Sequence, residues 1–156
     1  WNPHENKQTT GYQLNQSILA VGAGGLTGVG LGESRQKMFF LPEAHTDFIF
    51  AVVGEETGLL GAACVLLLFA LLGARGLRIA ARHPHQFGSL LALGCTFLLV
   101  GQAVLNMAVV LGLLPTKGLP LPFVSYGGSA LIMAMVYTGV LLSLSRESWR
   151  ENQAYA

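Results

Sequence analysis

A chain of 156 residues has room for one domain, yet 52% of it is apolar and only 11% carries charge. Its mean hydropathy is +0.53, and Leu, Val, Ala and Gly gather in long blocks instead of alternating with polar residues. A net charge of +1 excludes the massed Lys and Arg of a nucleic-acid footprint, and the composition is that of a membrane protein.

Residues 1–12 are polar and turn-rich and read as a loop. They contain no positive n-region followed by an apolar h-region, so no signal peptide is expected, and the chain reads as the C-terminal part of a longer polytopic protein. Residues 13–22 are mildly amphipathic, with Leu14, Ile18 and Leu19 on one side if helical, which suits a short interfacial helix. A glycine-rich stretch follows, with Gly22, Gly24, Gly25, Gly28, Gly30 and Gly32. Without a preceding buried strand or a GK[ST] sequence it does not match a nucleotide loop. A tight, irregular loop packed on membrane helices fits better. The outer loop with its short helices is assigned to residues 1–47.

Thr57–Ala74 is free of charge and, with its flanks, long enough to cross a hydrocarbon core of roughly 30 Å. The resulting re-entrant or transmembrane helix is assigned to 48–82, ending on Arg75, Arg78 and Arg82. A turn at 83–86 follows. A second span covers 87–114 and is long enough to tilt. Pro115, Pro120 and Pro122 then forbid a helix through the loop 115–128. A third span covers 129–145, and a tail, 146–156, opens with Arg146. The fold class expected is all-α, with three transmembrane helices. Cys64 and Cys95 sit inside apolar blocks without metal-ligand spacing and read as buried small hydrophobes. The positive-inside rule puts the turn after Arg82 and the tail in the cytoplasm. The segment 43–47 and the loop 115–128 then face outward together.

The chemistry-bearing residues cluster in those two outward pieces. Asp47, beside Phe48 and Phe50, is a partly desolvated carboxylate and hence a stronger base. It is equally an N-cap for the helix that follows, and the residues alone favour the cap. Glu43 and His45 flank it. With Asp47 they offer donors that suit Mg²⁺ or Mn²⁺, but one histidine and this spacing define no metal-ligand set. Glu55 and Glu56 lie further in, where a shared proton or an Arg or Lys partner would satisfy them. Lys117, within the Pro-rich loop, is placed either to hold an anionic head group or to snorkel. Ser125, Tyr126, Gly127 and Gly128 follow it, and non-helical backbone at membrane depth survives only against protein or a watery cavity. Gln102 and Asn106 share one helix face and read as structural hydrogen-bonding groups.

Two long motifs, LPEAHTDFIFAVVGEETG and GLLPTKGLPLPFVSYGGSAL, together with the upstream GYQLNQS and AVGAGGLTGVGLGESRQK, resemble the SEDS family (shape, elongation, division and sporulation) over nearly the whole chain. Ala44 and Pro115-Thr116-Lys117-Gly118 resemble its division branch more than its elongation branch. The resemblance implies a polytopic peptidoglycan glycosyltransferase of the bacterial cytoplasmic (inner) membrane, its active site facing outward, that polymerises lipid II with inversion during cell division. Asp47 corresponds to the family's essential aspartate and is implied as general base. Lys117 and Lys37, with Arg35, are candidates to stabilise the departing diphosphate. Glu43, His45, Ser125, Tyr126, Gly127 and Gly128 are expected at the substrate. Mg²⁺ or Mn²⁺ is a candidate cofactor. The implied partners are a class B penicillin-binding protein, other division proteins and membrane lipid. The family's earlier helices would complete the cavity, so this segment alone is expected to be inactive. A lipid II flippase and a non-catalytic scaffold are the alternatives. A flippase would line a path across the bilayer with its acids, whereas here the acids gather at one mouth.

Overall fold

The computed structural model describes residues 17–19, 22–30, 49–115 and 118–154. Among these every regular element is helical, and three helices are long: α1 (Ile49–Arg82), α2 (Gln86–Val110) and α3 (Gly128–Ala154). Each contains a stretch long and apolar enough to cross a membrane. The all-α, three-span expectation is met. Large side chains such as Leu66, Leu67, Phe97 and Ile132 are exposed on the helix faces, as befits surfaces facing lipid or further helices. The most apolar window of α2 is 44% buried, against 11% and 17% for α1 and α3, so α2 is the central helix.

Small residues let α1 and α2 approach closely. A Cβ on Gly76 would stand 2.1 Å from Thr96 Oγ1, and one on Gly73 would reach 3.4 Å from Val100. Such spacing is how membrane helices gain van der Waals contact when lipid supplies no hydrophobic drive between them. Gly76→Val in the full-length protein is therefore expected to cost about 1–3 kcal/mol by overpacking. Gly94, whose added Cβ meets nothing within 4 Å, should accept Ala without loss. Thermal unfolding in detergent checks both.

Two buried clusters mark the ends of the bundle. At one end Phe50, Ala51 and Val52 of α1 pack with Ala103, Met107 and Val110 of α2 and with Leu121. At the other, Ala80, Ala92, Cys95, Leu141 and Leu144 meet. Here the carbonyls that α1 leaves without intrahelical donors are taken by hydroxyls: Ser89 Oγ donates to Ala80 (2.7 Å) and Ser148 Oγ to Arg82 (3.3 Å). The buried His83 ring sits where a Cβ of Gly88 would be. Its Nδ1 accepts the His85 N–H at 3.2 Å, leaving Nε2 toward Glu147 at 3.8 Å.

Several boundaries differ from the sequence reading. The second helix ends at Val110, not Leu114, because Gly112 takes φ 77° and closes a Schellman turn. Gly112 N–H bonds the Val109 carbonyl and Leu113 N–H the Ala108 carbonyl, both characteristic of that motif. The third helix runs to Ala154 rather than stopping at 145. Cys95 is buried as expected, whereas Cys64 is exposed on the outer face of α1.

Candidate functional site

The largest departure from a simple helix lies near the start of α1. Gly58 has φ 67° and ψ −161°, so the helix is broken there. In an unbroken helix the amides of Leu59 and Leu60 would bond the carbonyls of Glu55 and Glu56. Instead the glycine-rich segment enters the break and takes both sets of groups. Val29 N–H bonds the Glu55 carbonyl (3.0 Å) and Gly30 N–H the Glu56 carbonyl (3.2 Å). Leu59 N–H bonds the Gly25 carbonyl (2.9 Å) and Leu60 N–H the Leu26 carbonyl (3.4 Å). Two helical bonds are thus exchanged for four bonds to the loop. Broken helices are tolerated in membranes only where protein re-satisfies the freed groups in this way.

The exchange requires glycine. A Cβ on Gly28 would lie 2.0 Å from the Glu56 carbonyl oxygen, and one on Gly58 would lie 2.4 Å from the Gly28 nitrogen. Both residues also hold positive φ, where other residues are strained. The expectation that this stretch packs as a tight loop against membrane helices is met.

Glu55 and Glu56 sit at this break. Glu55 is buried at 4% exposure, and Glu56 Oε1 is buried without a hydrogen-bond partner among the described residues. An acid at membrane depth is costly to keep and marks a functional position by default.

The Pro/Gly segment lies at the same end, since Leu121 packs in the cluster with Phe50 and Val110. Two polar side chains of α2 hold it. Gln102 Nε2 donates to the Pro120 carbonyl at 2.9 Å, and Asn106 Nδ2 donates to the Leu119 carbonyl. These are the structural roles expected of the pair, with a loop rather than a helix as the partner. Ser17 Oγ donates to the Val110 carbonyl at 3.0 Å and ties the upstream segment to the same end. Nothing in its local sequence distinguishes Ser17; only the bare carbonyls at the end of α2 explain it.

Ser125 and Tyr126 part company. Ser125 is buried, and its Oγ accepts the Leu121 N–H at 2.6 Å while its own N–H bonds the Leu121 carbonyl. That reciprocal clasp holds Phe123, between them, at φ 65°, an unusual value for a bulky residue. Tyr126 stands 87% exposed. Gly127 precedes α3, and Gly128 begins it. Asp47, Glu43, His45, Lys37, Arg35 and Lys117 lie outside the described residues. Among the described residues no three His, Cys, Asp or Glu gather as metal ligands.

These features define a segment of a multi-pass membrane protein built on a discontinuous helix, with irregular backbone gathered at one end. The family model for FtsW/RodA/SpoVE, described as cell cycle protein, matches residues 1–150, and the chain belongs to that family. It is 56% identical over 144 residues to the probable peptidoglycan glycosyltransferase FtsW of Geobacter metallireducens, covering 92% of this chain and 38% of that protein. It is 50% identical over 147 residues to stage V sporulation protein E of Bacillus subtilis, covering 94% and 40%. Among solved structures, a peptidoglycan synthase complex matches with a TM-score of 0.77 and 31% identity, over 94% of this chain and 39% of that one. An aspartate-to-alanine variant of Thermus thermophilus RodA matches with a TM-score of 0.65 and 34% identity, over 86% and 41%. The chain therefore spans about two-fifths of the length of the curated relatives it matches. The resemblance read from the motifs is borne out.

Proposed function

We propose that the protein to which this segment belongs is a peptidoglycan glycosyltransferase that polymerises lipid II at the outer face of the bacterial inner membrane during cell division. What carries this reading is a chain 56% identical to a protein named for that activity, whose irregular backbone gathers at one end of the bundle. Asp47, two residues before Ile49, takes the proton from the acceptor sugar's 4-hydroxyl. The oxygen attacks the anomeric carbon of the donor, a new glycosidic bond forms with inversion, and the lipid diphosphate leaves. Lys117, with Lys37 and Arg35, offsets the charge that grows on the diphosphate. Glu43 and His45 flank the base, and Tyr126 is the exposed side chain of the Ser125–Gly128 turn. Mg²⁺ or Mn²⁺, as a cofactor, would share the neutralisation of the diphosphate. A class B penicillin-binding protein is the partner that would crosslink the strands, alongside other division proteins.

The test uses the full-length protein with purified lipid II. Glycan strands longer than the starting disaccharide are expected on gels after incubation. Movement of lipid II across proteoliposome bilayers with no strand formation, in the presence of the partner transpeptidase, would replace this reading with the flippase.

A further inference from the structure

Between the C-terminal half of α1 and α3, at the end of the bundle opposite the glycine loop, lies an open groove of about 500 Å³. Its charge comes from Arg75, Arg78 and Arg82 of α1, and no acidic side chain lines it among the described residues. The three arginines recur at intervals of three and four, so they share one helix face. All three are exposed. Ser145 of α3 lines the groove with them, and the apolar part of the groove is formed by Leu72, Ile79, Leu141 and Leu142. Glu147, an acid on the same end of α3, does not line the groove, and its carboxylate is 3.8 Å from His83 Nε2.

Three guanidinium groups lining one groove with no acid in its lining favour an anion there. The walls identify what kind. Leu142 is 66% exposed, and the α1 face above the arginines continues through exposed Leu71 and Leu68, within a helix long and apolar enough to span a membrane. A ligand here meets cations at the membrane boundary and hydrocarbon immediately beside them. We infer that this groove binds the phosphodiester head group of an anionic membrane phospholipid, with its acyl chains laid along the Leu68–Leu71 and Leu142 surface. Guanidinium forks suit phosphate oxygens, and basic pockets between spans are the usual setting for such recognition. Gly58 lies seventeen residues before Arg75 in α1, about 25 Å of helix at 1.5 Å per residue, so the groove is separate from the site proposed for polymerisation.

Native mass spectrometry of the full-length protein, delipidated and then given phosphatidylglycerol or phosphatidylcholine, tests this. The wild-type protein is expected to retain phosphatidylglycerol at least about tenfold more than phosphatidylcholine. Arg75→Gln with Arg78→Gln and Arg82→Gln should abolish the preference, whereas Arg146→Gln, outside the groove, should keep it. Leu142→Trp, which fills the apolar wall and leaves the charges, should also reduce retention. Equal retention of both lipids by the wild-type protein, or an unchanged preference in the triple variant, overturns the inference. So does displacement of the lipid by millimolar inorganic phosphate, which would make this a site for soluble anions.

Discussion

Asp47→Asn in the full-length protein is expected to lower lipid II polymerisation by about 100-fold or more, the usual contribution of a positioned general base. The substitution is chosen because it separates the two roles the sequence allows at this position. Asparagine is as good an N-cap as aspartate, so a helix start that depended on residue 47 would survive it. It cannot take a proton from a sugar hydroxyl at neutral pH. Membrane insertion, thermal stability and association with the transpeptidase should therefore match the wild-type protein while strand formation is lost. Polymerisation within a few-fold of wild type would leave capping as the sole role of Asp47 and remove the base from the proposed mechanism. Asp47→Ala supplies the contrast, since it loses the cap as well and should add about 1 kcal/mol of destabilisation to the lost activity.

The three spans were legible because length and apolar composition decide membrane insertion, and both are local properties of the sequence. Their ends were less so, for identifiable reasons. Pro115 is a conspicuous helix breaker, but the chain had already turned at Gly112, where a left-handed residue satisfies the last carbonyls. Arg146 and Glu147 mark where an apolar span stops, but charged residues are good helix formers, and α3 continues past them. The hydrophobic pattern reports the boundary of the membrane, whereas the cap geometry reports the boundary of the helix.

The break in α1 was hidden for a different reason. The sequence IFAVVGEETGLL contains no proline, and a single Gly58 costs a helix only about 1 kcal/mol relative to alanine. Nothing within it announces that the carbonyls of Glu55 and Glu56 will go to Val29 and Gly30, far earlier in the chain. The signal lay in combining two observations, a cluster of glycines too dense for a helix and a glycine inside a span beside two acids. Ser125 teaches the same lesson at smaller scale. Its hydroxyl reads as a candidate substrate contact in the motif, and in the fold it is bonded to the Leu121 amide. Residues 31–48, Asp47 among them, lie outside the described residues, and their roles are argued from the family resemblance and from chemistry.

Gly28→Val should be the most destabilising single substitution among the described glycines of the loop. The added Cβ falls 2.0 Å from the Glu56 carbonyl oxygen and 2.7 Å from the Thr57 nitrogen, both backbone atoms of α1 that cannot rotate away. The β-branched residue is also forced to φ 79°, a region in which it is a genuine outlier. If the loop withdraws, the Glu55 and Glu56 carbonyls and the Leu59 and Leu60 amides lose their partners at once. With about 1–3 kcal/mol for each buried group left unpaired, the expected loss is about 4 kcal/mol or more. The full-length protein carrying this change should yield little monodisperse material on gel filtration in detergent and should melt well below wild type. Gly22→Ala, in the same segment but meeting nothing within 4 Å, should behave as wild type. A Gly28→Val protein that melts with the wild type would mean that α1 can close its own hydrogen bonds across Gly58. The glycine loop would then be an accessory to the broken helix rather than the reason it exists.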